Sequence, residues 1–98
     1  MVVIYLYVIM VYDIADENNG AKRQRHIFKI CKRYLTHIQN SVFEGNLTSA
    51  QLAHMKQEII QWSDKKLDSV IVFKSSEERW LIKEFYGKDE SNLTSDFF

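Results

Sequence analysis

Ninety-eight residues with 46% hydrophobic and 27% charged side chains make one globular domain and exclude a disordered chain. A single cysteine, Cys31, excludes an intrachain disulfide, and a formal net charge of zero excludes binding driven by total charge alone. A chain this short buries a modest share of its surface and gains from an oligomer interface. The absence of proline and the low glycine count suit regular elements with few kinks.

Residues 2–12 are all apolar or aromatic and rich in Val, Ile and Tyr, which predicts a strand buried on both faces, its first few residues an extension or a frayed end. The run is far short of the roughly 20 residues that cross a bilayer. It lacks a basic leader, and acids stand where a signal cleavage site would lie. With one cysteine, this predicts a cytoplasmic protein without a membrane segment. Asp13 is the first charged side chain and ends the strand. Residues 13–20 are turn-rich, with several candidate helix caps.

Residues 21–35 predict an amphipathic helix. Ile27, Phe28, Ile30, Cys31, Tyr34 and Leu35 form its apolar face. Lys22, Arg25, Lys29, Lys32 and Arg33 form a stripe on the other side, with Arg23 at the border. No acid occurs between Asn18 and Phe43, so the stripe lacks the usual ion-pair alternation. Cys31 lies on the apolar face and reads as a buried, inert thiol. Residues 36–43 return to strand character with an irregularity near Asn40. Glu44-Gly45-Asn46 reads as a turn, and Leu47 is a candidate for a short third strand. Thr48 and Gln51 fit a capping box that opens a helix running to about Ser63, with Leu52, Met55, Ile59 and Trp62 as its core stripe. After a polar loop, residues 69–74 predict a second buried strand. Residues 77–87 read as a strand or short helix, and the polar tail closes on Phe97-Phe98.

The order strand, helix, strand, short strand, helix, strand is the ferredoxin-like βαββαβ plan, an α+β fold with two helices on one face of an antiparallel sheet. It forms one domain, with a core over about 7–74 and a C-terminal strand or arm over about 75–98. The free sheet face and the extra segment both invite dimerisation.

Three blocks sharpen this. Tyr12-Asp13-Ile14 follows an apolar strand. Ile38-Gln39-Asn40-Ser41-Val42-Phe43-Glu44-Gly45 precedes Leu47-Thr48, and Asp68-Ser69-Val70-Ile71-Val72-Phe73 comes last. In order and spacing they resemble the small universal CRISPR-associated protein, the second of the two adaptation proteins, over residues 7–74. Leu35 and His37 depart from that pattern, which favours glycine and a basic residue there, and the loop 16–20 is longer. The resemblance implies a homodimer that sits between dimers of the CRISPR-associated integrase, binds DNA and possibly RNA, and helps capture spacers. It also implies a magnesium-dependent endonuclease or endoribonuclease activity, with Asp13 as the catalytic and metal-binding acid.

On its own chemistry Asp13 has two readings. It caps the turn or the helix that follows it, or it is half of a metal site. Magnesium takes about six oxygens, so one carboxylate per chain is too little. Two Asp13 side chains across a twofold axis could share an ion that polarises a phosphate and activates water. Asp16 and Glu17 are near enough in sequence to help. The basic stripe is likewise either a solvated face or a set of phosphate contacts through Lys22, Arg25, Lys29, Lys32 and Arg33. His26, His37 and His54 lack metal-ligand spacing. A purely structural adaptor and a ligand-binding regulatory dimer are the alternatives.

Overall fold

The structure, a computed structural model, describes residues 3–77 and residue 84. Its elements run β1 (Leu6–Asp13), α1 (Gly20–Tyr34), β2 (Thr36–Gln39), β3 (Val42–Leu47), α2 (Ser49–Trp62) and β4 (Ser69–Ser75). The strands form one antiparallel sheet in the order β2-β3-β1-β4. This is the βαββαβ arrangement that the sequence predicts. The segment 78–83 and the tail 85–98 lie outside the described residues.

Side chains alternate along β1, so Val8, Met10 and Tyr12 enter the core with Ile27, Ile30 and Cys31 of α1 and Leu52, Met55 and Ile59 of α2. Phe43 is fully buried at the centre and packs against Tyr12 and Phe28, with ring centroids 6.0 and 5.5 Å away. β1 begins at Leu6, and Val3, Ile4 and Tyr5 before it are exposed. Helix α2 opens with the predicted capping box: the Gln51 amide donates to Thr48 Oγ1 at 3.1 Å, and the Thr48 amide donates to Gln51 Oε1 at 2.9 Å. Helix α1 differs. Its N-cap is Asn19, in the left-handed region, with no side-chain cap.

Two local expectations are corrected. The turn between β2 and β3 is Asn40-Ser41, with Asn40 at φ 41°, and not Glu44-Gly45-Asn46, which lies within β3. Gly45 serves close packing: a Cβ there would meet Leu35 Cδ2 at 3.0 Å. The β2–β3 register shifts between His37 and Gln39, which accounts for the irregularity seen in sequence. Finally, β4 is covered on one face only. Ile71 and Phe73 are each 50% exposed, on the sheet face away from the helices.

The loop after β1 is built around Arg23, which is 7% exposed. Its guanidinium pairs with Asp68 and donates to the carbonyls of Asn18 at 2.9 Å, Glu17 at 2.6 Å and Ala15 at 3.3 Å. Asp68 also accepts from the amides of Ala15 at 2.9 Å and Asp64 at 2.7 Å. The pair therefore ties the β1–α1 loop to the α2–β4 loop. Gly20 lies inside this knot, where a Cβ would stand 2.1 Å from the Ala15 carbonyl oxygen. Removing one partner of a buried ion pair leaves the other uncompensated, so Asp68→Ala is expected to lower unfolding free energy by about 3–5 kcal/mol. Asp64→Ala removes a more exposed carboxylate and is expected to cost less. Equal midpoints for the two variants in denaturant titration would contradict this account.

Candidate functional site

Asp13 is the last residue of β1, exposed, and paired in register with Ser69 of β4. By alternation it shares the sheet face away from the helices with Ile9 and Val11, beside Ile71 and Phe73. The backbone just beyond it is held at two points. The Gln24 side-chain amide donates to the Ile14 carbonyl at 3.0 Å, and the Ala15 amide donates to Asp68. The position of Asp13 at the strand end is thus set by long-range contacts, not by a flexible turn.

Asp16 and Glu17 are exposed, and their backbone carbonyls serve the Gly20 amide and Arg23. Among the described residues no group of three or more His, Cys, Asp or Glu side chains could hold a metal ion. Both oxygens of Asp68 are committed to the Arg23 knot. Among the described residues, then, Asp13 is not part of a metal-binding cluster within a single chain.

The basic stripe divides into two parts. Arg33 pairs with Glu58 of α2, and Tyr34 donates its hydroxyl to the same carboxylate at 2.5 Å. These bonds, Tyr34 first and Arg33 second, hold Glu58 below the usual carboxylate range. Lys22 Nζ lies 5.9 Å from the Trp62 ring centre, and Trp62 stacks on His26 at 3.6 Å. Arg25 and Lys29 are exposed and have no ion-pair partner among the described residues. With Gln24 and Phe28 of α1, Tyr12 of β1 and the Asn40-Ser41 turn they line an open groove of about 560 Å³. Lys32 is half-buried on the same helix.

Reading the sequence alone singled out Arg25 and Lys29 but not Gln24, Asn40 or Ser41 as site candidates. The last two come from another element, and only the sheet brings them beside α1. A polar two-residue stretch between apolar runs was the available signal. His37, at 8% exposure, lies under this turn: its Nε2 is 2.6 Å from the Asn40 carbonyl, while its Nδ1 is buried without a hydrogen-bond partner among the described residues.

The chain matches the family model described as CRISPR associated protein Cas2 over residues 6–81. It belongs to the Cas2 family. It is 49% identical over 85 residues to the CRISPR-associated endoribonuclease Cas2 of Fusobacterium nucleatum, covering 87% of this chain and 80% of that one. Among solved structures, one described as a crystal structure of Cas2 superposes with a TM-score of 0.75 at 32% identity, covering 89% of this chain and 92% of the other. Streptococcus pyogenes Cas2 superposes at 0.68 and 32% identity, covering 82% and 99%. The Cas2 match extends slightly beyond the blocks that carry the resemblance in sequence. Among the described residues no helix is long and apolar enough to cross a membrane.

His26 reports the electrostatics of this Cas2 helix. Its pKa is lowered, first by burial and then by the positive charges of Lys29, Lys22 and Arg25. Salt screens those charges, so the His26 pKa is expected to rise as ionic strength goes from about 0.02 to 0.5 M. An NMR titration at the two salt levels checks the sign, and a fall would show that cation repulsion is not at work.

Proposed function

We propose that two copies of this chain form a homodimer that binds nucleic acid along α1 and bridges dimers of the CRISPR-associated integrase during spacer acquisition in the cytoplasm. Membership of the Cas2 family supplies the CRISPR context. The observation that carries the dimer is the sheet face opposite the helices, where Ile71 and Phe73 are half-exposed beside Val11 and Ile9. A second sheet laid on this face removes apolar area from water, worth about 25 cal/mol per Å². Lys22, Arg25, Lys29, Lys32 and Arg33 then form two related basic surfaces, suited to phosphate contact without sequence reading.

The double variant Ile71→Lys, Phe73→Lys is expected to run as a monomer in light scattering and to lose spacer acquisition in cells. Both side chains are half-exposed, so the fold should survive. A dimeric double variant would place the interface elsewhere.

A second reading is favoured by where Asp13 stands. It ends β1 on the same sheet face, so a dimer formed through that face brings the two Asp13 carboxylates toward one axis. Two carboxylates with phosphate oxygens make a plausible magnesium set, and the ion would activate water for phosphodiester hydrolysis. The Fusobacterium relative is named an endoribonuclease. On this reading Asp13→Asn abolishes magnesium-dependent cleavage while the dimer persists. Equal cleavage by the wild type and the variant would point to a contaminating nuclease. Spacer acquisition retained in Asp13→Asn cells would assign the adaptor role to the protein without the nuclease.

A further inference from the structure

The residues that build the loop beyond β1 also make it chemically perishable. Asn19 stands in the left-handed region at φ 62°, where asparagine is among the few residues besides glycine that fit readily. Gly20 follows in a slot that admits no side chain, since a Cβ would lie 2.1 Å from the Ala15 carbonyl oxygen. The fold thus favours Asn followed by Gly at this point. That dipeptide is reactive. The backbone nitrogen of the second residue attacks the side-chain carbon of the first, and glycine has no Cβ to hinder the approach. The new bond from Gly20 N to Asn19 Cγ closes a five-membered succinimide, and the side-chain nitrogen leaves as ammonia. Water then opens the ring at either carbonyl, which gives aspartate or isoaspartate.

The folded chain holds this reaction back. The attacking nitrogen of Gly20 donates its proton to the Asp16 carbonyl at 3.2 Å. Gly20 is buried and is the first residue of α1. The Asn19 carbonyl belongs to the same peptide unit, and it accepts from the Arg23 amide at 3.0 Å. Arg23 is in turn held by Asp68 and by the carbonyls of Ala15, Glu17 and Asn18. The peptide cannot swing toward the Asn19 side chain while these bonds stand. Ring closure therefore waits for the loop to open locally.

We propose that Asn19-Gly20 is a site of spontaneous deamidation and isomerisation, and that opening of the Arg23–Asp68 knot sets its rate. Aspartate at position 19 changes only the charge, at a helix start where a carboxylate is well placed. Isoaspartate does more. It routes the main chain through the side chain, adds a backbone carbon before Gly20 and turns the carbonyl that Arg23 bonds into a free carboxylate. Gly20 then leaves its slot, and the loop behind Asp13 loses its anchorage.

The full chain is incubated at mildly alkaline pH, both folded in buffer and unfolded in urea. Peptide mapping by mass spectrometry reads aspartate and isoaspartate at residue 19, and hydrogen exchange reads the opening of the Gly20 amide. Folded protein is expected to convert more slowly than unfolded protein, by a factor close to the protection of that amide. Asp68→Asn removes the countercharge at nearly constant volume and should speed conversion and Gly20 exchange together, by at least about tenfold. Circular dichroism checks that this variant is folded. If it is not, wild type in sub-denaturing urea takes its place, and there too both rates must rise together. Asn19→Gly keeps the left-handed conformation and removes no side-chain cap. Its thermal midpoint should hold on storage while that of the wild type falls. In the unfolded chain Asn40 should convert more slowly than Asn19, because Ser41 carries a Cβ. Conversion as fast in the folded as in the unfolded chain, or faster Gly20 exchange without faster conversion, would overturn the role of the knot. Absence of conversion at Asn19 in urea, or faster conversion at Asn40, would overturn the site itself.

Discussion

The Arg23–Asp68 pair is the contact on which the arrangement at the end of β1 depends. Arg23 occupies a core-facing position on α1, one turn before Ile27, and a charge there is tolerated only because its donors are matched. Asp68 supplies the countercharge, and carbonyls of the β1–α1 loop take the remaining donors. One buried pair thus fixes the start of α1, the loop beyond Asp13 and the entry to β4. Asp13 and the rim of the α1 groove both inherit their positions from it.

The sheet separates two kinds of chemistry. One face is closed by α1 and α2 over Val8, Met10 and Phe43, and its end at Tyr12 opens into the groove. The other face carries Asp13 among half-covered apolar side chains. Adjacent residues of one strand, Tyr12 and Asp13, therefore point toward different tasks. The alternation of a strand accomplishes this without any special backbone geometry.

What could be read in the sequence was what is written locally. The capping box needs only Thr48 and Gln51, three residues apart, and it forms as read. The apolar spacing of Ile27, Ile30 and Cys31 likewise gives the buried face of α1. Where distant partners decide the outcome, local signals mislead. Gly45 resembles a turn residue, but Leu35 is the reason for it. Arg23 sits at the border of a basic stripe by its spacing, but Asp68, far along the chain, turns it inward. The unbroken apolar run in β4 suggests burial on both faces, because sequence records the need for cover and not whether the cover comes from the same chain. Asp13 was legible as the acid ending a strand, whereas the groove was not, because three separate elements build it.

The placement of β1 also has a consequence for how the chain is made. β1 is synthesised before β3 and β4, yet it lies between them in the sheet. Its pairing with β4 joins Tyr7 to Ser75, so a strongly apolar strand waits for most of the domain to be synthesised before both edges are satisfied. Such distant pairing raises contact order, slows folding and prolongs the exposure of an adhesive segment. Helix α2, with its self-contained cap, can form early. A strongly apolar stretch is thus made well before its partners and is closed off only once β4 follows.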